Sequence, residues 1–235
     1  MRALLTSRGL TNASIRNAVV ELTGKPIEET TAVFVPTAMH AVPGGGEYLW
    51  EQLAQQRQIG WKPIGILELT AVPSTGEEHW LAPLREADVI MVGGGNTPYL
   101  SHWFERSGFA GALPQLLQRS VYIGVSAGSM VLTQSFGINR ERLAATGVYA
   151  DDQYGDIAPR NAGSDFTLKL VPFTLRPHLN ATYFDHVTLR DMEEVVGGVD
   201  VPLYAIDDQT AIKVVGDRID VVSEGEWKLF GGSRV

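Results

Sequence analysis

Short apolar runs alternate with longer amphipathic segments through the first half of the chain. The apolar runs are four or five residues long, rich in Val, Ile and Leu, and without polar alternation: Ala3–Thr6, Ala32–Val35, Ile64–Leu67, Val89–Val92 and Val121–Val125. This pattern is typical of strands that are covered on both faces. The amphipathic segments predict helices, the first after the N-cap candidate Asn12 and the last after Asn96: Ala13–Leu22, Glu47–Gln58 and Thr97–Arg106. The alternation predicts an α/β fold with a mostly parallel, doubly wound sheet and helices on both faces.

The second half of the chain has a different pattern. A polar stretch, Asp151–Ser164, predicts a surface loop, and a strand over Leu168–Leu175 and a helix over His186–Val196 are predicted after it. Three closely spaced apolar runs then predict antiparallel hairpins: Leu203–Ile206, Ala211–Val215 and Ile219–Val222. Because no linker separates the two halves, we expect one domain over residues 1–235 with a C-terminal antiparallel extension.

Composition and charge narrow the classes of function. The 235 residues are 44% hydrophobic and 20% charged, which is typical of a globular protein. The absence of cysteine excludes disulfides, cysteine-ligated metal sites and a cysteine nucleophile. With 19 Lys and Arg against 27 Asp and Glu, the net charge is −8, and the scattered basic residues argue against a nucleic-acid partner. No apolar stretch approaches the ~18 residues of a membrane span, and the N-terminus fits a first strand better than a signal peptide. We therefore expect a cytoplasmic protein without a membrane partner.

The strongest local signal for chemistry is a G-x-S-x-G motif at residues 124–128. It lies at the end of the apolar run Val121–Val125 and directly before a helical pattern. In this strand–turn–helix context such a motif exposes a nucleophilic serine, here Ser126, and the flanking glycines allow the backbone to turn sharply. The competing interpretation is a glycine-rich turn whose serine only caps a helix.

A second glycine-rich segment, GGGNT at residues 93–97, follows the apolar run Val89–Val92. Consecutive glycines let backbone N–H groups approach a ligand closely. Beside Ser126, one such amide and the amide of Ala127 could form an oxyanion hole. A phosphate-binding loop is the alternative, but the segment matches neither G-x-x-x-x-G-K-[ST] nor G-x-G-x-x-G.

A serine nucleophile needs a base, and the chain has five histidines. His178 is the best candidate, because it ends an apolar run directly after Pro177, which restricts the local backbone. The other histidines lie in a loop or in polar helical patterns: His40, His79, His102 and His186.

An acid should orient the base, and two adjacent carboxylates, Asp207 and Asp208, lie at the tip between two β runs. Asp is also common in turns for conformational reasons alone. Asp208 is preferred over three rivals in the polar stretch: Asp151, Asp152 and Asp156.

Taken in order, these segments resemble the peptidase E family of serine peptidases, which includes aspartyl dipeptidase and cyanophycinase. The matching pieces are GGGNT at 93–97, YIGVSAGS at 122–129, RPH at 176–178 and AIDDQTAI at 205–212. The resemblance implies a flavodoxin-like sheet akin to class I glutamine amidotransferases, with serine in place of their cysteine. It also implies a triad with Ser126 as nucleophile, His178 as general base and Asp208 as acid.

The resemblance further implies how a substrate would be held. The amide of Gly94 or Gly95, together with that of Ala127, would form the oxyanion hole. An arginine after the catalytic histidine would bind an acidic side chain of the substrate, and Arg190 is the only arginine between residues 180 and 193. The family's denser arginine pattern is missing there, Arg176 is a rival, and Asn96 is a further substrate-binding candidate.

The expected function is that of a serine peptidase that uses no metal or cofactor, acts on small peptides and prefers an N-terminal aspartate. The order Ser126, His178, Asp208 argues against an α/β-hydrolase esterase, in which the acid precedes the histidine. Two alternatives stay open: a hydrolase of β-aspartyl or cyanophycin-like amides, and a non-catalytic module that binds small molecules. The sequence does not determine the oligomeric state, and a homodimer is compatible with it.

Overall fold

The chain forms a large central sheet and a small second sheet in a computed structural model that describes residues 1–42, 44–135, 167–184, 187–195 and 201–231. The strands are β1 (Arg2–Thr6), β2 (Ala32–Val35), β3 (Ile64–Ile66), β4 (Val89–Val92), β5 (Val121–Val125), β6 (Thr174–Arg176), β7 (Leu203–Ile206), β8 (Thr210–Val215), β9 (Arg218–Ser223) and β10 (Trp227–Phe230). The helices are α1 (Ala13–Thr23), α2 (Gly45–Ile59), α3 (Glu77–Glu86), α4 (Thr97–Arg106), α5 (Phe109–Leu116), α6 (Ala127–Met130) and α7 (Leu189–Val195). No helix within these described ranges is long and apolar enough to cross a membrane.

The large sheet has the strand order β3-β2-β4-β5-β1-β8-β9. Its first five strands are parallel, whereas β8 pairs antiparallel with both β1 and β9. The predicted α/β class, with a mostly parallel sheet and a C-terminal antiparallel extension, is therefore confirmed.

Both faces of this sheet are covered, as continuous apolar strands require. Leu5 of β1 and Val33 of β2 belong to one buried core cluster, while Leu4 and Phe34, their chain neighbours, belong to a second cluster. Successive side chains of a strand point to opposite faces, so the two clusters are the two sides of a doubly wound sheet. The edge strand β3 is the exception to the predicted burial, since Ile64 is 39% and Ile66 is 61% exposed.

The small sheet has the order β10-β7-β6 and lies over a third buried cluster. It corrects the expected hairpin between residues 203–206 and 211–215: β7 pairs parallel with β6 and antiparallel with β10, and not with β8. The short segment 207–209 thus carries the chain from the small sheet to the large one. The second expected hairpin, between β8 and β9, is confirmed.

The predicted strand over Leu168–Leu175 is mostly wrong, because the regular strand begins only at Thr174. Lys169 has a positive φ of 51°, which interrupts an extended strand, and Pro172 lacks the N–H that a strand partner would need. The helix predicted over His186–Val196 is observed as α7, Leu189–Val195. His186, Val196 and the predicted loop Asp151–Ser164 lie outside the described residues.

Candidate active site

Ser126 occupies a strained turn between β5 and α6. Its backbone has φ 49° and ψ −110°, a combination that a non-glycine residue adopts only when the surrounding structure enforces it. The Ser126 N–H donates to the Thr6 carbonyl of the neighbouring strand over 3.0 Å, which anchors the turn to β1. The turn presents the Ser126 hydroxyl at the carboxyl end of the central strands.

The two glycines of the motif act by allowing close packing, not by adopting a positive φ themselves. A Cβ at Gly124 would lie 2.7 Å from the Gly128 carbonyl oxygen, and a Cβ at Gly128 would overlap the Val92 carbonyl oxygen. Of the three residues, only Ser126 has a left-handed φ. Both glycines therefore leave room where a side chain would clash with neighbouring backbone, as the motif predicts.

Ser126, His178 and Asp208 form a continuous hydrogen-bonded chain. His178 Nε2 lies 2.8 Å from Ser126 Oγ, and His178 Nδ1 lies 2.9 Å from Asp208 Oδ1. His178 is 9% exposed and has a left-handed φ of 67°, directly after β6 and Pro177. The structure thus brings together the three residues that the sequence placed in one triad.

The neighbouring aspartate has a different environment. Asp207 Oδ1 accepts hydrogen bonds from the Gln209 N–H (3.0 Å) and the Thr210 hydroxyl (2.6 Å), and its Oδ2 accepts from the Glu226 N–H (2.6 Å). These contacts hold the connection between β7, β8 and β10. Asp207 therefore shapes the turn, whereas Asp208 contacts the histidine.

The sequence did not point to three further residues that surround His178. Ser7 Oγ donates to Asp208 Oδ1 over 2.6 Å and accepts from the His178 backbone N–H over 2.9 Å. The Tyr183 hydroxyl donates to Asp208 Oδ2, and the Phe184 ring stacks on the imidazole with centroids 4.9 Å apart. Ser7 directly follows β1, so its position at the carboxyl end of a central strand was the one signal available. Tyr183 and Phe184 lie in an irregular segment that shows no pattern.

The electrostatics of this cluster keep Asp208 ionised. Burial raises the pKa of Asp208, but hydrogen bonds from His178, Ser7 and Tyr183 outweigh it and lower the pKa to about 2. Burial, and then the hydrogen bond and charge of Asp208, raise the pKa of Tyr183 well above its usual value, so its hydroxyl stays protonated. Arg8 adds a positive charge, with Nη1 3.7 Å from Asp208 Oδ2 and its guanidinium over the Tyr183 ring.

The predicted oxyanion loop lies against Ser126. A Cβ at Gly94 would be 3.2 Å from Ser126 Cβ, and Gly95 has a φ of 138° that packs it against the Ala38 backbone. Among the described residues, the amides of Gly94, Gly95 and Ala127 have no hydrogen-bond acceptor. The glycines permit this close approach of the loop to Ser126.

The predicted substrate-binding residues have diverse settings. Asn96 is 5% exposed, and its Oδ1 caps α4 by accepting from the Tyr99 N–H over 2.8 Å. Arg176 is 3% exposed at the end of β6, and Arg190 is exposed on α7. Their proposed contacts with a substrate stay predictions.

Two of the remaining candidates, His40 and His102, contact residues outside this cluster. His40 Nε2 pairs with Glu68 over 2.8 Å, and His102 packs edge-on against Trp103. His186, Asp151, Asp152 and Asp156 lie outside the described residues. In the part of the chain that the structure describes, no three His, Asp or Glu side chains are grouped so that they could hold a metal ion.

Comparison with curated proteins finds several peptidases. The chain is 29% identical to Peptidase E of Streptomyces coelicolor over 64% of its length, and 28% identical to a Drosophila melanogaster protein named as an alpha-aspartyl dipeptidase over 63%. Each alignment spans 58% of the relative's own length. A Listeria monocytogenes peptidase is 26% identical over 82% of this chain and 86% of its own.

Solved structures show the same fold. A chain assigned as a peptidase E protein from Listeria monocytogenes EGD-e superposes with a TM-score of 0.61 at 23% identity, covering 95% of this chain and 98% of its own. A peptidase from an acI-B1 Actinobacterium superposes with a TM-score of 0.66 at 17% identity, covering 99% and 95%. The sequence model described as Peptidase family S51 matches residues 3–222. With the match extending over nearly all of its length, the chain belongs to peptidase family S51.

Proposed function

We propose that the chain is a serine peptidase that hydrolyses small peptides through Ser126, His178 and Asp208. The observation that carries this proposal is the hydrogen-bonded chain from Asp208 through His178 to a serine held on a strained turn. Strain at a single non-glycine residue is typical of functional sites, where it fixes the direction of a reacting group. Membership of peptidase family S51 supports the same reaction class.

The geometry suits acyl transfer. His178 Nε2 takes the proton of Ser126 as Oγ bonds to the substrate's carbonyl carbon, and the carbonyl oxygen becomes an anion. The C–N bond then breaks, and His178 gives the proton to the leaving amine. Water, deprotonated by the same imidazole, hydrolyses the resulting ester and restores Ser126.

The anion that forms in this reaction needs hydrogen-bond donors. The amide of Ala127 and one amide of the loop Gly94–Gly95 are the proposed donors, because the loop packs directly on the Ser126 side chain. Each such donor contributes roughly 3–4 kcal/mol to the transition state in acyl transfer.

We further propose that the enzyme is a dipeptidase that prefers an N-terminal aspartate. The support is the name of the Drosophila relative, an alpha-aspartyl dipeptidase. Arg190 is the proposed partner of the substrate carboxylate because this residue lies at the surface of α7, whereas Arg176 is buried within the small sheet. A guanidinium binds a carboxylate through two parallel hydrogen bonds.

Replacement of the nucleophile tests the reaction class. Ser126→Ala should lower kcat/KM by about 10⁴-fold or more, since the triad acts as a unit, while the thermal unfolding curve stays close to that of the wild type. Ser74→Ala, at an exposed serine of the 3-10 helix Val72–Ser74, is the matched control and should keep full activity. A fluorophosphonate probe should label wild-type protein at Ser126. Folded protein that the probe does not label would favour the non-catalytic binding module.

A panel of dipeptides tests the specificity separately. We expect α-Asp dipeptides to be cleaved faster than neutral dipeptides and faster than β-aspartyl or cyanophycin-like amides. Equal rates for Asp-X and neutral dipeptides would remove the aspartate preference without affecting the peptidase assignment. Faster cleavage of β-aspartyl amides would replace it with the alternative substrate class.

A further inference from the structure

Three oxygen atoms surround one nitrogen of the His178 ring. Nδ1 lies 2.9 Å from Asp208 Oδ1, 3.0 Å from the Tyr183 hydroxyl and 3.2 Å from Ser7 Oγ. The other ring nitrogen, Nε2, lies 2.8 Å from Ser126 Oγ. Hydrogen-bond distances alone do not show which nitrogen carries the proton. The number of protons available in the cluster does show it.

Each hydroxyl has a single proton to donate. The Ser7 proton goes to Asp208 Oδ1 and the Tyr183 proton goes to Asp208 Oδ2, because an ionised carboxylate offers only acceptors. Both hydroxyl oxygens therefore present lone pairs to Nδ1, as does Asp208 itself. Three acceptors around one nitrogen require that nitrogen to be the donor.

We propose that Ser7 and Tyr183 are positioning residues of the triad: together with Asp208 they fix the His178 proton on Nδ1 and so leave the Nε2 lone pair directed at Ser126. The proposal rests on the proposed function, which makes His178 the base. Each hydroxyl anchors a different carboxylate oxygen, so the carboxylate cannot rotate about its Cβ–Cγ bond without breaking one hydrogen bond. Neither residue touches the substrate in this role.

The three residues that surround Nδ1 of His178 come from three different parts of the fold. Ser7 comes from the end of β1, Tyr183 from the segment after β6, and Asp208 from the connection between β7 and β8. In the described part of the chain, the charged or titratable groups that face the imidazole or its partners are Asp208, Tyr183 and Arg8, and the Phe184 ring covers one face of the imidazole. Ser7 also holds the His178 backbone N–H, so one hydroxyl fixes both the main chain and the ring of the base.

The test uses the full-length protein with ¹⁵N-labelled histidine, and its matched variants are Tyr183→Phe, Ser7→Ala and Tyr48→Phe. Tyr183→Phe removes one oxygen and keeps the ring that packs on Phe184 and Arg8. Tyr48, on α2 and 55% exposed, is the control tyrosine. His178→Gln identifies the resonances of His178. The readouts are the protonated ring nitrogen of His178, the far-downfield resonance of its N–H proton, and kcat and KM.

We expect the wild type and Tyr48→Phe to carry the proton on Nδ1 and to show its downfield resonance. In Tyr183→Phe and Ser7→Ala that resonance should broaden or move upfield, and kcat should fall about ten-fold with an unchanged KM, as loss of a hydrogen bond to a charged group predicts. A wild-type proton on Nε2 would overturn the proposal, as would both variants matching the wild type in resonance and kcat. The spectroscopic readout needs no substrate, so it decides the proposal even if the peptidase assignment fails.

Discussion

Gly124 and Gly128 flank Ser126, and each is required because neighbouring backbone occupies the space of a side chain. Ser126 takes the strained φ itself, and the close packing on both sides holds it there. The conformation of Ser126 is thus enforced by contacts of β5, α6 and the end of β4, rather than by glycine flexibility at the turn.

Two glycine-to-alanine substitutions separate packing from flexibility. Gly124→Ala places a methyl group 2.7 Å from backbone atoms of Gly128 and Ser129, and should cost about 1–3 kcal/mol of unfolding free energy together with most of the activity. Gly111→Ala, on α5 with open space around the new methyl, should stabilise the protein by up to about 1 kcal/mol and leave the activity unchanged. Urea denaturation measures both. Equal stability of Gly124→Ala and wild type would contradict the packing argument.

At the scale of elements, the start of α1 is tied to the turn that carries Asp208. Asn12 Oδ1 caps the helix by accepting from the Ile15 N–H over 2.9 Å, while its Nδ2 donates to the Gln209 carbonyl over 2.8 Å. Thr11 Oγ1 donates to the Asp208 carbonyl over 2.7 Å. Thr11 and the N-cap therefore also hold the backbone carbonyls of Asp208 and of the residue that follows it.

Replacements of Asn12 should distinguish these two roles. Asn12→Ala removes the capping hydrogen bond and those to Gln209; it should cost about 1–2 kcal/mol of unfolding free energy and lower kcat. Asn12→Ser keeps a good capping oxygen but cannot donate to Gln209, so it should restore most of the stability while kcat stays reduced. If Asn12→Ser matched the wild type in kcat as well, the hydrogen bond from Asn12 to the Asp208 turn would not contribute to activity.

Strands and helices were predictable where the hydrophobic pattern was continuous within a short segment and was not interrupted by proline. β1, β2, β4 and β5 are continuous apolar runs, and all four were expected at nearly their observed bounds. The helices α3 and α5 were not expected, because Pro83 and Pro114 lie inside them and resemble helix breakers. β10 is four residues long and lacks alternation, so nothing in its sequence distinguished it from a loop.

The site was predictable to a similar degree and for similar reasons. Ser126 and His178 stand in short motifs, which a single sequence displays directly. The residues alone do not separate Asp207 from Asp208, since adjacent side chains diverge and only tertiary contacts show which one meets the histidine; the family resemblance favoured Asp208. Ser7 was not predicted, because it reaches the site only through the pairing of β1 with β5. That pairing joins residues more than a hundred positions apart in the sequence.

At the scale of the whole molecule, stability in acid depends on carboxylates that link distant segments. Asp208 joins the turn after β7 to Ser7, His178 and Tyr183. Asp88 accepts from Lys25 over 2.7 Å and from the Thr31 N–H over 2.9 Å; burial raises the pKa of Asp88, but these hydrogen bonds outweigh it and lower the pKa. Both groups contribute stability only while they are ionised.

The pH dependence of unfolding tests this. The folded-state pKa of Asp208, about 2, lies below its usual value of 3.8, so its contribution is complete above pH 4 to 5 and is lost as the pH falls towards 2. The difference in unfolding free energy between the wild type and Asp208→Asn should be constant near neutral pH and shrink through this window. Urea denaturation at a series of pH values measures it. If this difference in unfolding free energy stayed unchanged down to pH 2, the charge of Asp208 would not contribute to stability.

The position of β1 has a consequence for the order in which a newly made chain becomes active. Residues 2–6 pair on one side with residues 121–125 and on the other with residues 211–215. As the chain leaves the ribosome, one edge of β1 therefore stays unpaired until β8 has been synthesised. Such a delay is typical of sheets with long-range pairing. Asp208 emerges just before β8. The closing of the central sheet and the completion of the triad thus coincide, and we expect nascent chains shorter than about 215 residues to have no hydrolytic activity.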